Sequence, residues 1–163
     1  MKWYEFFLDG TFLALAGAAI AVIVAGIGSA RAVGMVGEAA AGLISEEPER
    51  FGQTLLLQAL PGTQGIYGLL TAFVILTKIG VVGGADVNVG TVQGLLLFGA
   101  AIPIAIVGYF SAIAQGRAAA AGINIVAKRP SELAKAITYA AMVETYAVLA
   151  LLASILMVFG IQL

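Results

Sequence analysis

The sequence predicts an all-α membrane protein with four transmembrane helices arranged as two repeated helical hairpins. Of its 163 residues, 61% are hydrophobic and only 10% are charged, whereas soluble domains carry about 25% charged residues. The mean hydropathy is +1.05. Four apolar segments are each long enough to cross a bilayer, and the second pair of segments repeats the pattern of the first.

The four segments follow one another with short connections. A transmembrane helix needs about 20 residues at 1.5 Å per residue, and all four segments are longer, so we expect their ends to project from the bilayer or the helices to tilt. Arg31 and Arg117 fit such projecting ends. Because the segments use up the chain, we expect no soluble catalytic domain. The segments cover about 11–43, 52–82, 89–127 and 133–161.

The composition excludes several kinds of chemistry. The chain has no cysteine and no histidine, which removes disulfides, thiolate catalysis, Cys/His zinc sites and imidazole acid–base catalysis. The formal net charge is −1, so no basic face predicts nucleic-acid binding. The expected surroundings are instead lipid and other membrane-embedded chains.

The distribution of Lys and Arg predicts the orientation in the cell membrane. The loops near Pro48 and Pro130 lie on one side of the membrane, and the positive-inside rule places that side in the cytoplasm, with both termini outside. Only Lys2 and Lys78 belong to the other side. Six basic residues lie on the loop side: Arg31, Arg50, Arg117, Lys128, Arg129 and Lys135.

Each half of the chain contains the same sequence of features. The stretch Ile27–Arg31 resembles Ile113–Arg117, and each is followed by a loop that contains a proline. The predicted units are residues 1–85, the first hairpin, and residues 86–163, the second hairpin, which carries Glu144. We therefore interpret the fold as one duplicated hairpin.

Aligning Pro48 with Pro130 places Gly62 opposite Glu144. The first hairpin thus has no carboxylate where the second has one, which halves the number of ionisable sites per pair of helices. Glu144 is also the only charge between Ala136 and Leu163. A charge at that depth costs roughly 2.5–3.5 kcal/mol on insertion scales, so it is a functional residue by default.

Polar groups of two other segments lie at the depth of Glu144. Thr63 and Gln64 follow Pro48 by 15 and 16 residues, and Gln115 precedes Pro130 by 15 residues. At 1.5 Å per residue, these groups and Glu144 all lie roughly 21–24 Å from the same loop plane. Hydroxyl, amide and carboxylate oxygens are the ligands that small hard cations prefer. The set therefore predicts a Na⁺ site, with a proton carried by Glu144 alone as the alternative.

Pro61 adds a backbone oxygen to this prediction. A proline cannot donate to the carbonyl four residues earlier and kinks a helix. We expect the distortion to free neighbouring carbonyls, including that of Leu60, which lies about one turn from Thr63 and Gln64.

Small residues are concentrated in the first helix of each hairpin, where they allow close helix packing. We therefore expect these helices to form a tightly curved inner wall, the bulkier second and fourth helices to form an outer wall, and copies of the chain to close into a ring. The small residues are Gly26, Gly28, Ala30, Ala32 and Gly34 in the first segment, and Gly116, Ala118–Ala121 and Gly122 in the third.

Nearly the whole chain resembles the duplicated proteolipid, also known as the K or c subunit, of V-type and A-type rotary ATPases, most closely the sodium-translocating bacterial branch. Three stretches carry the resemblance: Leu60–Gly68, Ile113–Gly116 and Met142–Ala147. The resemblance implies a non-catalytic rotor subunit that carries Na⁺, or H⁺ as the alternative, past a stator subunit with an arginine. It also implies central-stalk contacts at loops 44–51 and 127–135. An unrelated four-helix transporter is disfavoured, because many transporters use inverted repeats.

In the resembling family the ion ligands fall on the Leu60 carbonyl, Thr63, Gln64, Gln115 and Glu144. Tyr67 matches a tyrosine that donates a hydrogen bond to the carboxylate. Pro61 stands beside these ligands in the sequence.

Overall fold

The computed structural model describes residues 7–163, and Lys2 lies outside this part of the chain. Within it the chain folds into helices joined by short turns, and four segments are long and apolar enough to cross a membrane. The predicted all-α membrane class is therefore confirmed. The helices are α1 (Gly10–Glu46), α2 (Phe51–Ala59), α3 (Thr63–Lys78), α4 (Thr91–Lys128) and α5 (Leu133–Gly160).

Local sequence signals explain where these helices begin and end. Asp9 caps α1, since its carboxylate accepts a hydrogen bond from the Phe12 N–H at 2.8 Å. Pro48 and Pro130 each open a 3₁₀ turn that leads into the returning helix of a hairpin, and a proline is tolerated at this position because its missing N–H would have no helical partner. The predicted boundary between the two hairpins, after residue 85, falls in the connection from α3 to α4. The division of the chain at this residue stays a prediction.

Helices α1 and α4 pack side by side, and glycines allow the close approach. A Cβ on Gly28 would lie 2.6 Å from the Cα of Tyr109, and one on Gly116 would lie 2.8 Å from the Cβ of Ala32. Gly28, Ala32 and Gly116 therefore bring these two helices together, as the sequence predicts. By contrast, nothing lies within 4 Å of a Cβ added to Gly26 or Gly34. The α2–α3 segment and α5 pack against the pair formed by α1 and α4. Closure of several copies into a ring stays a prediction.

The buried apolar residues form two clusters, one toward each end of the helices. The cluster on the side of the termini includes Ile75, Leu97 and Val158. The cluster on the side of the two proline loops includes Leu57 and Val126. Between the clusters lies a layer of buried polar side chains from three helices: Ser29, Gln64, Ser111 and Gln115.

Arg31 and Arg117 lie inside α1 and α4 and not in their last turns, and the projection of these helix parts from the bilayer stays a prediction. Arg31 is about 22 Å from the end of α1 at 1.5 Å per residue, and its guanidinium donates to the Tyr109 hydroxyl at 2.7 Å. Arg117 follows the buried Gln115 by two residues and lines the same exposed cleft as Arg31. Both arginines therefore lie at the depth of the polar layer.

Gly28→Ala should destabilise the protein, because the new Cβ would meet the backbone of Tyr109. Overpacking of this kind typically costs about 1–3 kcal/mol. Thermal unfolding of the detergent-solubilised protein, followed by circular dichroism, should show a lower midpoint. Gly34→Ala is the control, because nothing lies within 4 Å of its added Cβ. Equal midpoints for the two variants would contradict close packing of α1 on α4.

Candidate ion-binding site

The second membrane segment is interrupted beside the polar layer. Helix α2 ends at Ala59, residues Leu60–Gly62 form a 3₁₀ turn, and α3 begins at Thr63. Pro61 causes the interruption, because it has no N–H to continue the α-helical pattern. The Leu60 carbonyl accepts from the Thr63 N–H and from the Thr63 hydroxyl, the latter at 3.1 Å. The distortion that the proline predicts is therefore present, and it directs a carbonyl toward the Thr63 side chain.

The Glu144 carboxylate lies between α3 and α4 and receives one donor on each oxygen. The Tyr67 hydroxyl on α3 donates to Oε1 at 2.5 Å. The Gln115 amide on α4 donates to Oε2 at 3.3 Å. These two hydrogen bonds hold the carboxylate in a fixed position between α3 and α4.

The amide groups continue this chain of hydrogen bonds away from Glu144. Because Gln115 turns its NH₂ group to the carboxylate, its Oε1 faces α3 and accepts from Gln64 Nε2 at 2.5 Å. Gln64 then presents its own Oε1 to the Thr63 hydroxyl, 3.4 Å away. Both glutamine side chains are fully buried. The Glu144 carboxylate thus orients two amides in sequence.

Three neutral oxygens come together at the end of this chain: the Leu60 carbonyl, the Thr63 hydroxyl and Gln64 Oε1. The hydroxyl lies 3.1 Å from the carbonyl and 3.4 Å from the amide oxygen. Two oxygen ligands at right angles, each about 2.4 Å from a cation as in Ca²⁺ sites, are about 3.4 Å apart. The spacing of these oxygens therefore fits neighbouring ligands of one hard cation.

Glu144 is half-buried and opens onto the outer surface of the protein. A shallow cleft on α5 contains its side chain together with Ala141, Thr145 and Val148. The exposed neighbours of this region are mostly large and apolar, including Ile66 and Leu69 on α3. Within the polar layer, the Glu144 carboxylate is thus the group that is exposed at the surface formed by α3 and α5.

The structure brings together all the residues that the sequence singled out, and it adds one that was missed. The Ser111 hydroxyl on α4 donates to the Val143 carbonyl at 3.1 Å and lies 3.5 Å from Gln64 Nε2. Its position four residues before Gln115 is a signal in the sequence, because residues with that spacing share a helix face.

These features define a class: a duplicated helical hairpin in which one carboxylate and several neutral oxygens meet between helices long and apolar enough to cross a membrane. The model of the ATP synthase C-subunit family matches the chain twice, over residues 16–75 and 98–157. The chain belongs to this family. It is 54% identical over 149 residues to the V-type sodium ATPase subunit K of Enterococcus hirae, an alignment that covers 91% of this chain and 92% of that protein.

A second relative is the A-type ATP synthase subunit K of Methanocaldococcus jannaschii. It is 38% identical over 154 residues, which are 94% of this chain and 65% of that protein. The chain therefore spans slightly less than two thirds of the archaeal protein.

The two family matches also define the register of the internal repeat. They begin at residues 16 and 98, the same separation of 82 positions as between Pro48 and Pro130. In this register Gly62 corresponds to Glu144. The pairing of Ile27–Arg31 with Ile113–Arg117 is shifted from it by four positions, about one helical turn, and is wrong as a repeat alignment.

Tyr67→Phe should destabilise the protein, because it removes the hydroxyl that donates to Glu144. A hydrogen bond to a charged group contributes about 1.5–3 kcal/mol. Combined in a double-mutant cycle of thermal unfolding with Glu144→Ala, which leaves the Tyr67 hydroxyl no acceptor at this position, it should show a coupling energy of that size. Tyr146→Phe is the control, because that tyrosine is 66% exposed. Additive effects of the Tyr67 and Glu144 substitutions would contradict the contact.

Proposed function

We propose that this chain is the ion-carrying, non-catalytic subunit of a rotor ring in a V-type or A-type rotary ATPase, and that the ion is Na⁺. Membership in the ATP synthase C-subunit family supports the rotor role. The name of the 54% identical relative, a subunit of a sodium ATPase, supports the ion. The proposed ligands are the Leu60 carbonyl, Thr63, Gln64, Gln115 and Glu144.

One observation carries the choice of Na⁺ over H⁺. The Glu144 carboxylate is connected through Gln115 and Gln64 to three neutral oxygens, the Leu60 carbonyl, the Thr63 hydroxyl and Gln64 Oε1. A proton carrier has no need of the oxygens of Leu60, Thr63 and Gln64. A cation bound among these oxygens and the carboxylate uses every one of them.

Charge neutralisation explains how such a site drives rotation. With Na⁺ bound, the charge of Glu144 is cancelled, and the loaded site crosses the lipid-facing part of the ring at little energetic cost. An empty, ionised site is expensive in hydrocarbon, so it stays beside a polar stator surface. An arginine on the stator subunit would pair with the exposed carboxylate. Ion movement and rotation are then coupled by necessity.

The proposed assembly follows from the faces of the protein. Helices α1 and α4 form the inner wall of the ring, and α3 and α5, which flank Glu144, form the outer wall. Loops 44–51 and 127–135 lie in the cytoplasm of the cell and contact the central stalk, and both termini lie outside. The charged residues of the first loop, which include Glu46, Glu47 and Glu49, are suited to such a contact.

Na⁺ should protect Glu144 from labelling by a carbodiimide, because the reagent needs the protonated acid and bound Na⁺ excludes the proton. Protection should strengthen as pH rises, since fewer protons then compete with Na⁺. Thr63→Ala and Gln115→Ala should each raise the Na⁺ concentration needed for half-protection while leaving Glu144 reactive. The measurement is labelling of the purified protein across a range of Na⁺ concentration and pH.

Thr145→Ala is the matched control for Thr63→Ala. Thr145 is the repeat counterpart of Thr63, and its hydroxyl likewise bonds back to a carbonyl three residues earlier, that of Met142, at 2.8 Å. Thr145→Ala should leave the Na⁺ concentration needed for half-protection of Glu144 unchanged. If millimolar Na⁺ gives no protection at any pH where labelling occurs, the chain carries H⁺ instead.

Glu144→Gln should abolish Na⁺ transport and Na⁺-stimulated ATP hydrolysis by the assembled complex. Folding and assembly should be retained, because removing the charge lowers the insertion cost and the amide oxygen still accepts from Tyr67. Detergent-stable assemblies of normal mass, together with loss of Na⁺ uptake into reconstituted vesicles, would support this. Sodium uptake that persists in the variant would refute the assignment of Glu144.

A further inference from the structure

Ser111 lies on α4 about one turn before Gln115 and is almost fully buried, with 6% of its surface exposed. Its hydroxyl contacts two parts of the ion site at once. It donates to the carbonyl of Val143, the residue before Glu144, at 3.1 Å. It also lies 3.5 Å from the Nε2 atom of Gln64.

The Val143 carbonyl determines which way the Ser111 hydroxyl points. A carbonyl oxygen only accepts, so the single hydroxyl hydrogen is directed to α5, and only lone pairs remain for other neighbours. Ser111 therefore presents an acceptor to Gln64. The two hydrogens of the Gln64 NH₂ group are then directed to two acceptors on α4, Gln115 Oε1 and Ser111 Oγ.

This arrangement selects between the two possible orientations of the Gln64 amide. If the amide were reversed, its oxygen would face the oxygens of Gln115 and Ser111, and its NH₂ group would face the Leu60 and Thr63 oxygens. The observed orientation instead directs Oε1 toward Thr63, 3.4 Å away. A cation among those oxygens requires this orientation, because an NH₂ group in that place would be a donor facing a positive charge.

We propose that Ser111 is a positioning residue for the cation site. It holds Gln64 with its oxygen toward the ion, and it fixes the backbone of α5 beside Glu144. This inference rests on the proposed function. It assigns to Ser111 no direct contact with the ion.

Ser111→Ala tests the proposal. It should raise the Na⁺ concentration needed to half-protect Glu144 from carbodiimide about three- to tenfold, the size of effect expected for losing one buried hydrogen bond. Ser154→Ala is the matched control, because Ser154 is also buried between α4 and α5, where its hydroxyl accepts from the Ile104 N–H at 3.2 Å. That variant should stay within about twofold of the unmodified protein.

A double-mutant cycle separates positioning from a general loosening of the helix pair. If Ser111 acts through Gln64, then Ser111→Ala should have much less effect on half-protection in a Gln64→Ala background. Equal effects in both backgrounds would overturn the positioning role, as would Na⁺ protection of the Ser111→Ala protein that matches the unmodified protein. Ser111→Cys, which keeps a weak donor and acceptor, serves if the alanine variant does not fold.

The same data distinguish the two proposals. Normal Na⁺ protection of the unmodified protein with no change in Ser111→Ala rejects only the role of Ser111. Absence of Na⁺ protection in the unmodified protein rejects both the Na⁺ assignment and the positioning role built on it.

Discussion

The energetic cost of one carboxylate inside a membrane is the constraint on which the rest of this structure depends. Glu144 lies near the middle of α5 and is its only charged residue after Lys135, and each of its oxygens accepts a hydrogen bond. Each donor is itself held by the surrounding helices. The apolar clusters on either side of this layer keep the polar groups at one depth. Both buried glutamines and two of the buried serines, Ser29 and Ser111, thus lie at the depth of Glu144.

Two different structural devices position the groups of that layer. Close packing of α1 on α4 through glycines produces a rigid wall, from which Gln115 and Ser111 extend toward the outer helices. The second segment contributes by an irregularity instead, since the turn at Pro61 exposes a backbone oxygen that a regular helix would direct along its axis. A rigid support and a local break together provide oxygens that no single regular helix could bring to one point.

Much of this arrangement could be predicted because it depends on distance along a helix. A constant rise per residue is sufficient to place Thr63, Gln115 and Glu144 at one depth, and the missing N–H of Pro61 is sufficient to predict a distorted helix. The direct contacts of Tyr67 and Gln115 with Glu144 required the resemblance to a known family, since rotation about each helix axis is determined by packing.

Three features escaped prediction for physical reasons. Ser111 is hard to recognise as a site residue from the sequence, because its partners Gln64 and Val143 lie on two other helices. The pairing of Ile27–Arg31 with Ile113–Arg117 is one turn away from the register that Pro48 and Pro130 define, because glycine- and alanine-rich helices resemble themselves after a shift of four residues. Nothing in the sequence indicated that Arg31 pairs with Tyr109 on the exposed face of α1 and α4. The Arg31 side chain is stabilised there by its hydrogen bond to Tyr109 and by its exposure in the cleft that both residues line.

Gly62, which stands where the second hairpin has Glu144, has a consequence for energy conversion under the proposed function. A ring built from this chain has one carboxylate for every four helices instead of one for every two. For the same number of helices and the same ATP consumed per turn, half as many ions cross the membrane. Each ion then receives twice the free energy from the same ATP. The rotor is therefore suited to pumping ions against a steep gradient, at a lower flux.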